Sequence, residues 1–186
     1  MAIRMSKKTW LIVAIVIIAV GAIVGIVLSR NSPSPSDSTL QSQKALNFTL
    51  PTTTGANIAL SELEGTPVVL NFWATTCGHC LVELPYFEAV AQKSEGEIKV
   101  IAINVGQPLS EVERFFGGYE PTMIVALDGS GETFVNYCQK DNPRGYIPIT
   151  FFIDSEGIVQ HIRIGAFQSE TELWDALHDV FGITIP

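Results

Sequence analysis

The chain has 186 residues, of which 47% are hydrophobic and 16% are charged, and its formal net charge at pH 7 is −8. All nineteen acidic residues but only seven of the eleven basic residues follow Arg30. An acidic surface of this kind argues against binding to nucleic acid and against lying flat on anionic lipid. Three cysteines, an odd number, fit one pair and one spare thiol better than a framework of structural disulfides.

The N-terminal part of the chain has the character of a membrane anchor. Arg4, Lys7 and Lys8 precede an uncharged apolar run, residues 10–28, and a bilayer core takes roughly 17–25 helical residues. The positive flank favours a cytoplasmic N-terminus. A cleaved signal peptide is the alternative, but its apolar core is usually only about 7–15 residues long, and residues 27–30 make a poor cleavage site.

These features divide the chain into four segments. We predict that residues 1–9 are cytoplasmic, that 10–28 cross the cell membrane once, and that 29–44 form a Pro/Ser-rich linker. The linker is too polar to bury a core. Residues 45–186 then form one extracytoplasmic domain of ordinary size.

The domain begins with a predicted β-hairpin, residues 48–50 and 58–60, followed by a buried strand at 67–73. That strand leads into Cys77-Gly78-His79-Cys80, which opens an amphipathic helix over 81–93. A helix N-terminus offers unpaired N–H groups and the positive end of the helix dipole, and both stabilise a thiolate. Cys77 is therefore the predicted nucleophile of a redox site, and Cys80, one turn later, the resolving cysteine.

The remaining elements alternate between strands and helices. The strand at 99–105 follows a strand and a helix, which predicts a parallel crossover. The other predicted elements are a helix at 109–116 capped by Ser110 and Glu113, a strand at 122–127, a short helix at 132–139, an antiparallel hairpin at 149–153 and 158–164, and a final helix capped by Ser169 and Glu172.

This pattern resembles the thioredoxin superfamily, and most closely the membrane-anchored TlpA/ResA-type thiol-disulfide oxidoreductases. The resemblance covers about residues 46–182, and four segments carry it, namely 71–74, 80–85, 102–106 and 147–157. It implies an α/β, thioredoxin-like fold in which helices flank a central mixed β-sheet, with the N-terminal hairpin and transmembrane helix added.

The resemblance also implies roles for individual residues. Pro148 is expected to be cis and to face the dithiol, leaving the backbone of Ile147 free to pair with a substrate chain. Glu83 is expected near the redox pair. It is either a solvent-facing helix residue or, as its place one turn from Cys80 favours, a proton-transfer group. Asn71 stands where thioredoxin has a buried acid, and that absence favours Glu83 for the role. Trp73 is expected to form a packing wall.

The sequence departs from the family at three places. Gly78 and His79 between the cysteines resemble protein disulfide isomerase; His79 is either a solvated residue or a group that stabilises the Cys77 thiolate. Residues 137–146 are longer and more polar than the usual approach to the cis-proline. Cys138 lies outside the catalytic pattern and is expected to be a buried, small apolar residue.

The predicted function is a membrane-tethered protein-disulfide reductase whose only redox group is the Cys77–Cys80 disulfide, with no further cofactor. The resemblance implies protein thiol or disulfide substrates, cytochrome c maturation for example, and a membrane thiol-disulfide electron partner. A protein dithiol oxidant or isomerase with the same site is the alternative, favoured by His79.

Three other interpretations rank lower. A structural Cys77–Cys80 disulfide would close too short a loop to stabilise the fold much. Zinc needs four ligands, and beyond the motif only Cys138, His161 and His178 remain, so no metal site is expected. A peroxidase or a non-catalytic thiol- or metal-binding module is the third class.

Overall fold

A computed structural model describes residues 40–184. The strands are β1 (Thr49–Pro51), β2 (Asn57–Ala59), β3 (Val68–Trp73), β4 (Lys99–Val105), β5 (Ile124–Asp128), β6 (Ile149–Ile153) and β7 (Val159–Ile164). The helices are α1 (Gly78–Lys93), α2 (Leu109–Phe116), α3 (Glu132–Cys138) and α4 (Glu170–Phe181), with a 3-10 turn at Leu60–Leu63.

Five strands form the central sheet in the order β5-β4-β3-β6-β7. β3 pairs in parallel with β4, β4 pairs in parallel with β5, and β6 is antiparallel to both β3 and β7. The sheet is therefore mixed, and the predicted thioredoxin-like α/β fold is confirmed. The N-terminal hairpin is present as the antiparallel pair β1 and β2.

Every residue of β3 is buried because both faces of the sheet are covered. Successive side chains alternate between the faces, so that Val69 and Trp73 join one core and Leu70 and Phe72 the other. The first core also contains Phe87 of α1 and Trp174 of α4. Because β3 is the middle strand of the sheet, its packing holds the end of the strand in place, and the cysteine motif begins there.

The predicted boundary of the linker at residue 44 is wrong, because residues 40–44 already pack on the domain. Leu40 is buried, and its N–H donates to an Asp141 carboxylate oxygen at 2.9 Å. The N–H of Ser42 donates to the Val159 carbonyl at 2.7 Å, which covers the start of the edge strand β7. The buried Leu40 and the hydrogen bonds to the open edge of β7 therefore hold this segment on the domain, although its composition is polar.

The predicted N-terminus 1–9, the predicted span 10–28 and most of the predicted linker lie outside the described residues. Within residues 40–184, no helix has the length and apolar character needed to cross a bilayer.

The predicted helix caps differ in outcome. Pro108 is the N-cap of α2, without a side-chain cap bond, so the predicted box at Ser110 and Glu113 is wrong. Proline supplies a suitable backbone geometry at a helix start. Ser169 does cap α4, its hydroxyl accepting from the Glu172 N–H at 3.1 Å.

Candidate active site

The two cysteines lie where β3 passes into α1, and they are joined as a disulfide. Cys77 is the N-cap of α1 and is half-buried, whereas Cys80 has an exposed fraction of 0%. The Cys80 N–H donates to the Cys77 sulfur at 3.2 Å. After reduction this N–H and the helix dipole would stabilise a Cys77 thiolate, while Cys80 stays shielded from solvent.

The loop before β6 lies against the same sulfur. The Ile147–Pro148 peptide bond is cis, and the Ile147 carbonyl oxygen is 3.7 Å from the Cys77 sulfur. Ile147 is half-buried and Pro148 is buried. The structure therefore brings together Cys77, Cys80, Ile147 and Pro148, which are far apart in sequence.

Glu83 is a buried carboxyl on α1, one turn after Cys80, with an exposed fraction of 0%. One of its oxygens accepts from the Asn71 side-chain amide at 2.8 Å, and the other accepts from the Phe167 N–H at 2.8 Å. Burial raises the pKa of Glu83 to about 7, because desolvation outweighs the hydrogen bonds from Phe167 and Asn71. A carboxyl with this pKa can take up or release a proton near neutral pH.

Asn71 occupies the buried position on β3 that the sequence assigns to it. Its amide nitrogen donates both to Glu83 and to the Thr150 hydroxyl, the latter at 3.0 Å. Its carbonyl oxygen is buried and has no hydrogen-bond partner within residues 40–184.

Trp73 ends β3 and is completely buried. Its ring lies 5.3 Å from the Phe115 ring and 5.9 Å from the Phe116 ring, measured between centroids. Phe116 and the indole share a core with Cys80, whereas Phe115 is exposed. The contacts fit the packing wall expected of Trp73.

The sequence did not predict the polar clamp on the loop before Cys77. The side-chain oxygen Oε1 of Gln107 accepts from the Thr75 N–H at 2.7 Å, and its side-chain amide nitrogen donates to the Thr75 hydroxyl at 2.7 Å. The same amide donates to the Glu111 carboxylate at 2.6 Å. One feature of the sequence could have indicated this clamp. Gln107 is a polar residue just after the carboxyl end of β4, the strand next to β3, and α/β folds place their sites at the carboxyl ends of strands.

Residues 42–162 match the AhpC/TSA family. The thiol-disulfide oxidoreductase ResA of Bacillus subtilis is 32% identical over 152 residues, which are 81% of this chain and 79% of that protein. The chain belongs to the ResA-type thiol-disulfide oxidoreductases.

Solved structures agree with that ResA-type assignment. A Chlorobium tepidum chain, assigned as thiol:disulfide interchange protein DsbE, superposes with a TM-score of 0.63 at 29% identity. The match covers 75% of this chain and 99% of that one. StoA of Bacillus subtilis superposes with a TM-score of 0.56 at 26% identity, over 69% of this chain and 94% of StoA.

Two further features lie around the site of this ResA-type chain. His79 and Gly78 are exposed on the first turn of α1. The loop before Ile147 is organised by Asn142, which accepts from the Tyr146 N–H at 3.0 Å and donates to the Tyr146 carbonyl at 2.6 Å. Two partly buried hydrogen bonds therefore hold this loop in place.

Cys138 lies in the second core, away from the dithiol, with an exposed fraction of 3%. Burial raises the pKa of its thiol to about 12, which keeps it protonated and unreactive at neutral pH. Among residues 40–184, no group of three or more histidine, cysteine or acidic side chains is arranged to hold a metal ion.

Proposed function

We propose that this ResA-type protein reduces disulfides of extracytoplasmic proteins, cytochrome c precursors for example, while residues 10–28 hold it at the membrane. The observation that carries the proposal is the exposure difference within the dithiol, since Cys77 is half-buried at the helix N-terminus and Cys80 is fully buried. That arrangement suits attack by one thiolate and intramolecular resolution by the other.

In the proposed reaction, the Cys77 thiolate attacks a substrate disulfide, forms a mixed disulfide and releases one substrate thiolate. Cys80 then attacks the Cys77 sulfur, closing the Cys77–Cys80 disulfide and releasing the second substrate thiolate. Two electrons pass to the substrate, and a membrane thiol-disulfide partner restores the dithiol. The Ile147 backbone pairs with the substrate chain as a short added strand. Glu83 takes the proton from the Cys80 thiol.

A second candidate is a dithiol oxidant or isomerase that runs the same exchange in reverse. The exposed His79 favours it, because an imidazole beside the Cys77 sulfur would stabilise the thiolate of the reduced form. A site of the protein disulfide isomerase kind is poised near −180 mV, against roughly −270 mV for thioredoxin. The relatives named thiol-disulfide oxidoreductase ResA support thiol-disulfide exchange at this site, and that name fits reduction and oxidation of a substrate equally.

Replacing His79 tests which direction the site favours. We expect His79→Pro and His79→Gln both to lower the reduction potential by roughly 30 mV, equivalent to about 1.4 kcal/mol for a two-electron couple. Alkylation of reduced Cys77 at neutral pH should also slow, because less thiolate is present. The measurements are glutathione equilibration and stopped-flow alkylation, with His178→Gln on the last turn of α4 as the control. Unchanged potentials in both variants would remove the support for the oxidant.

The membrane tether has its own test. In intact cells, a membrane-impermeant maleimide should label Cys77 after mild reduction, because the domain is proposed to lie outside. Cys138 should not react, since it is buried, so a variant lacking Cys77 and Cys80 is the matched control. The full-length protein should remain in the membrane fraction after a high-salt wash. Release by salt, or a mature N-terminus beyond Arg30, would contradict the tether.

A further inference from the structure

A row of polar side chains crosses strands β3, β6 and β7 of the sheet beside Glu83. Asn71 of β3 is paired in register with Thr150 of β6, and Thr150 is paired in register with Arg163 of β7. Directly paired residues point to the same face of a sheet. Asn71 donates to both Thr150 and Glu83, so the row connects the buried carboxyl with the guanidinium at the sheet edge.

Arg163 holds the turn that follows β7. Its Nη2 donates to the Ala166 carbonyl at 3.1 Å, and its guanidinium carbon lies 4.2 Å from the centre of the Phe167 ring. Nη2 is also 2.7 Å from a Glu172 carboxylate oxygen. The other Glu172 oxygen accepts from the Gln168 N–H at 2.6 Å. Three consecutive residues of the turn are thereby fixed by this ion pair.

The middle residue of that turn supplies a hydrogen bond to the buried carboxyl. The Phe167 N–H donates to Glu83 at 2.8 Å, across 84 positions of sequence. We propose that Arg163 is a positioning residue for Glu83: it anchors the turn of residues 165–168 so that the Phe167 N–H stays directed at the carboxylate. The redox consequence rests on the proposed proton-transfer role of Glu83, but the positioning does not.

Electrostatics act in the same direction as the geometry. Arg163 on β7 favours the charged form of Glu83, and Glu172 on α4 opposes it. From β3 and from the turn, the neutral donors Asn71 and Phe167 also favour the carboxylate. Cys77 and Cys80, at the start of α1, do not titrate while they form the disulfide. In the oxidised protein, Arg163 and Glu172 are therefore the charged side chains that influence this carboxyl within the described part of the chain.

The test is a ¹³C NMR titration of the Glu83 carboxyl in oxidised full-length protein in detergent, assigned with Glu83→Gln. We expect a midpoint near 7 in the parent. In Arg163→Met, which keeps an unbranched apolar side chain near Phe167, the midpoint should rise by roughly one pH unit. In Arg163→Lys, which keeps the positive charge but not the planar set of guanidinium donors, the Glu83 midpoint should lie between those of the parent and Arg163→Met. Arg114→Gln, which removes an exposed charge on α2, should match the parent.

Amide hydrogen exchange separates positioning from a general loss of structure. In Arg163→Met, we expect exchange of the Phe167 amide to accelerate at least about tenfold, while amides of β3 and β4 keep the parent rates. A Glu83 midpoint unchanged in both Arg163 variants would overturn the proposal, as would acceleration spread evenly over the domain. If Arg163→Met does not fold, Arg163→Lys decides. Normal turnover by Glu83→Gln would instead refute only the proton-transfer role.

Discussion

Cys80→Ser should accumulate a covalent mixed disulfide with substrate through Cys77, and Cys77→Ser should form none. The physical reason is access, because Cys77 is half-buried at the helix N-terminus, whereas Cys80 has no exposed surface. Insulin reduction should fall to the uncatalysed rate in both variants, since each lacks one of the two sulfurs that the exchange requires. Non-reducing gels and mass spectrometry of the trapped species provide the measurement.

Cys138→Ser is the matched control for these variants. Its thiol is buried in the second core and protonated at neutral pH, so the variant should keep parental turnover and trap nothing. Equal trapping by the two dithiol variants would contradict the assignment of nucleophile and resolving cysteine. Peroxide consumption at a rate exceeding disulfide reduction would favour the peroxidase alternative, and normal turnover without Cys77 would favour a non-catalytic role for the motif.

Glu83→Gln should make the oxidised protein more stable at alkaline pH. The pKa of Glu83 is raised from 4.5 to about 7 in the folded state, so the folded protein binds more protons than the unfolded chain between those pH values. The contribution of Glu83 to the free energy of unfolding of the parent therefore falls as pH rises through this window. The free energy of unfolding of the variant minus that of the parent should be smallest below pH 4.5, and it should increase by roughly 3 kcal/mol across this window.

Thermal unfolding of the full-length protein in detergent at several pH values measures this difference. Glu113→Gln, which changes an exposed carboxyl on α2, is the matched control and should follow the parent at every pH. A constant difference between Glu83→Gln and the parent would show that Glu83 is not the titrating group.

The same variant should slow resolution of the mixed disulfide. A positioned general base contributes about 10²–10⁴-fold, and its loss should also flatten the pH dependence of the resolving step near neutrality. The alkylation rate of Cys77 should change little, because the N-terminus of α1, and not Glu83, stabilises the Cys77 thiolate. Rapid-quench measurement of the release of the second substrate thiol tests this expectation, and an unchanged rate would exclude Glu83 from proton transfer.

Local sequence patterns were sufficient to predict the elements that carry the site. The apolar run of β3 and the amphipathic pattern of α1 are complete within a few residues, so the position of Cys77 at a helix start could be predicted from the segment alone. The same holds for β4 and β6, whose bounds match the predicted ones. The cis bond before Pro148 was predicted from family resemblance rather than from periodicity.

The tertiary structure alone decided what surrounds the sulfurs. The hydrogen bond between Phe167 and Glu83 joins residues 84 positions apart, and the clamp between Gln107 and Thr75 joins residues 32 apart. Short-range periodicity cannot encode such pairs, because they form only after the sheet has brought different elements together. The start of the domain was misplaced for the same reason, since Leu40 is buried through contacts with a distant part of the chain. The raised pKa of Glu83 depends on the burial that this packing creates.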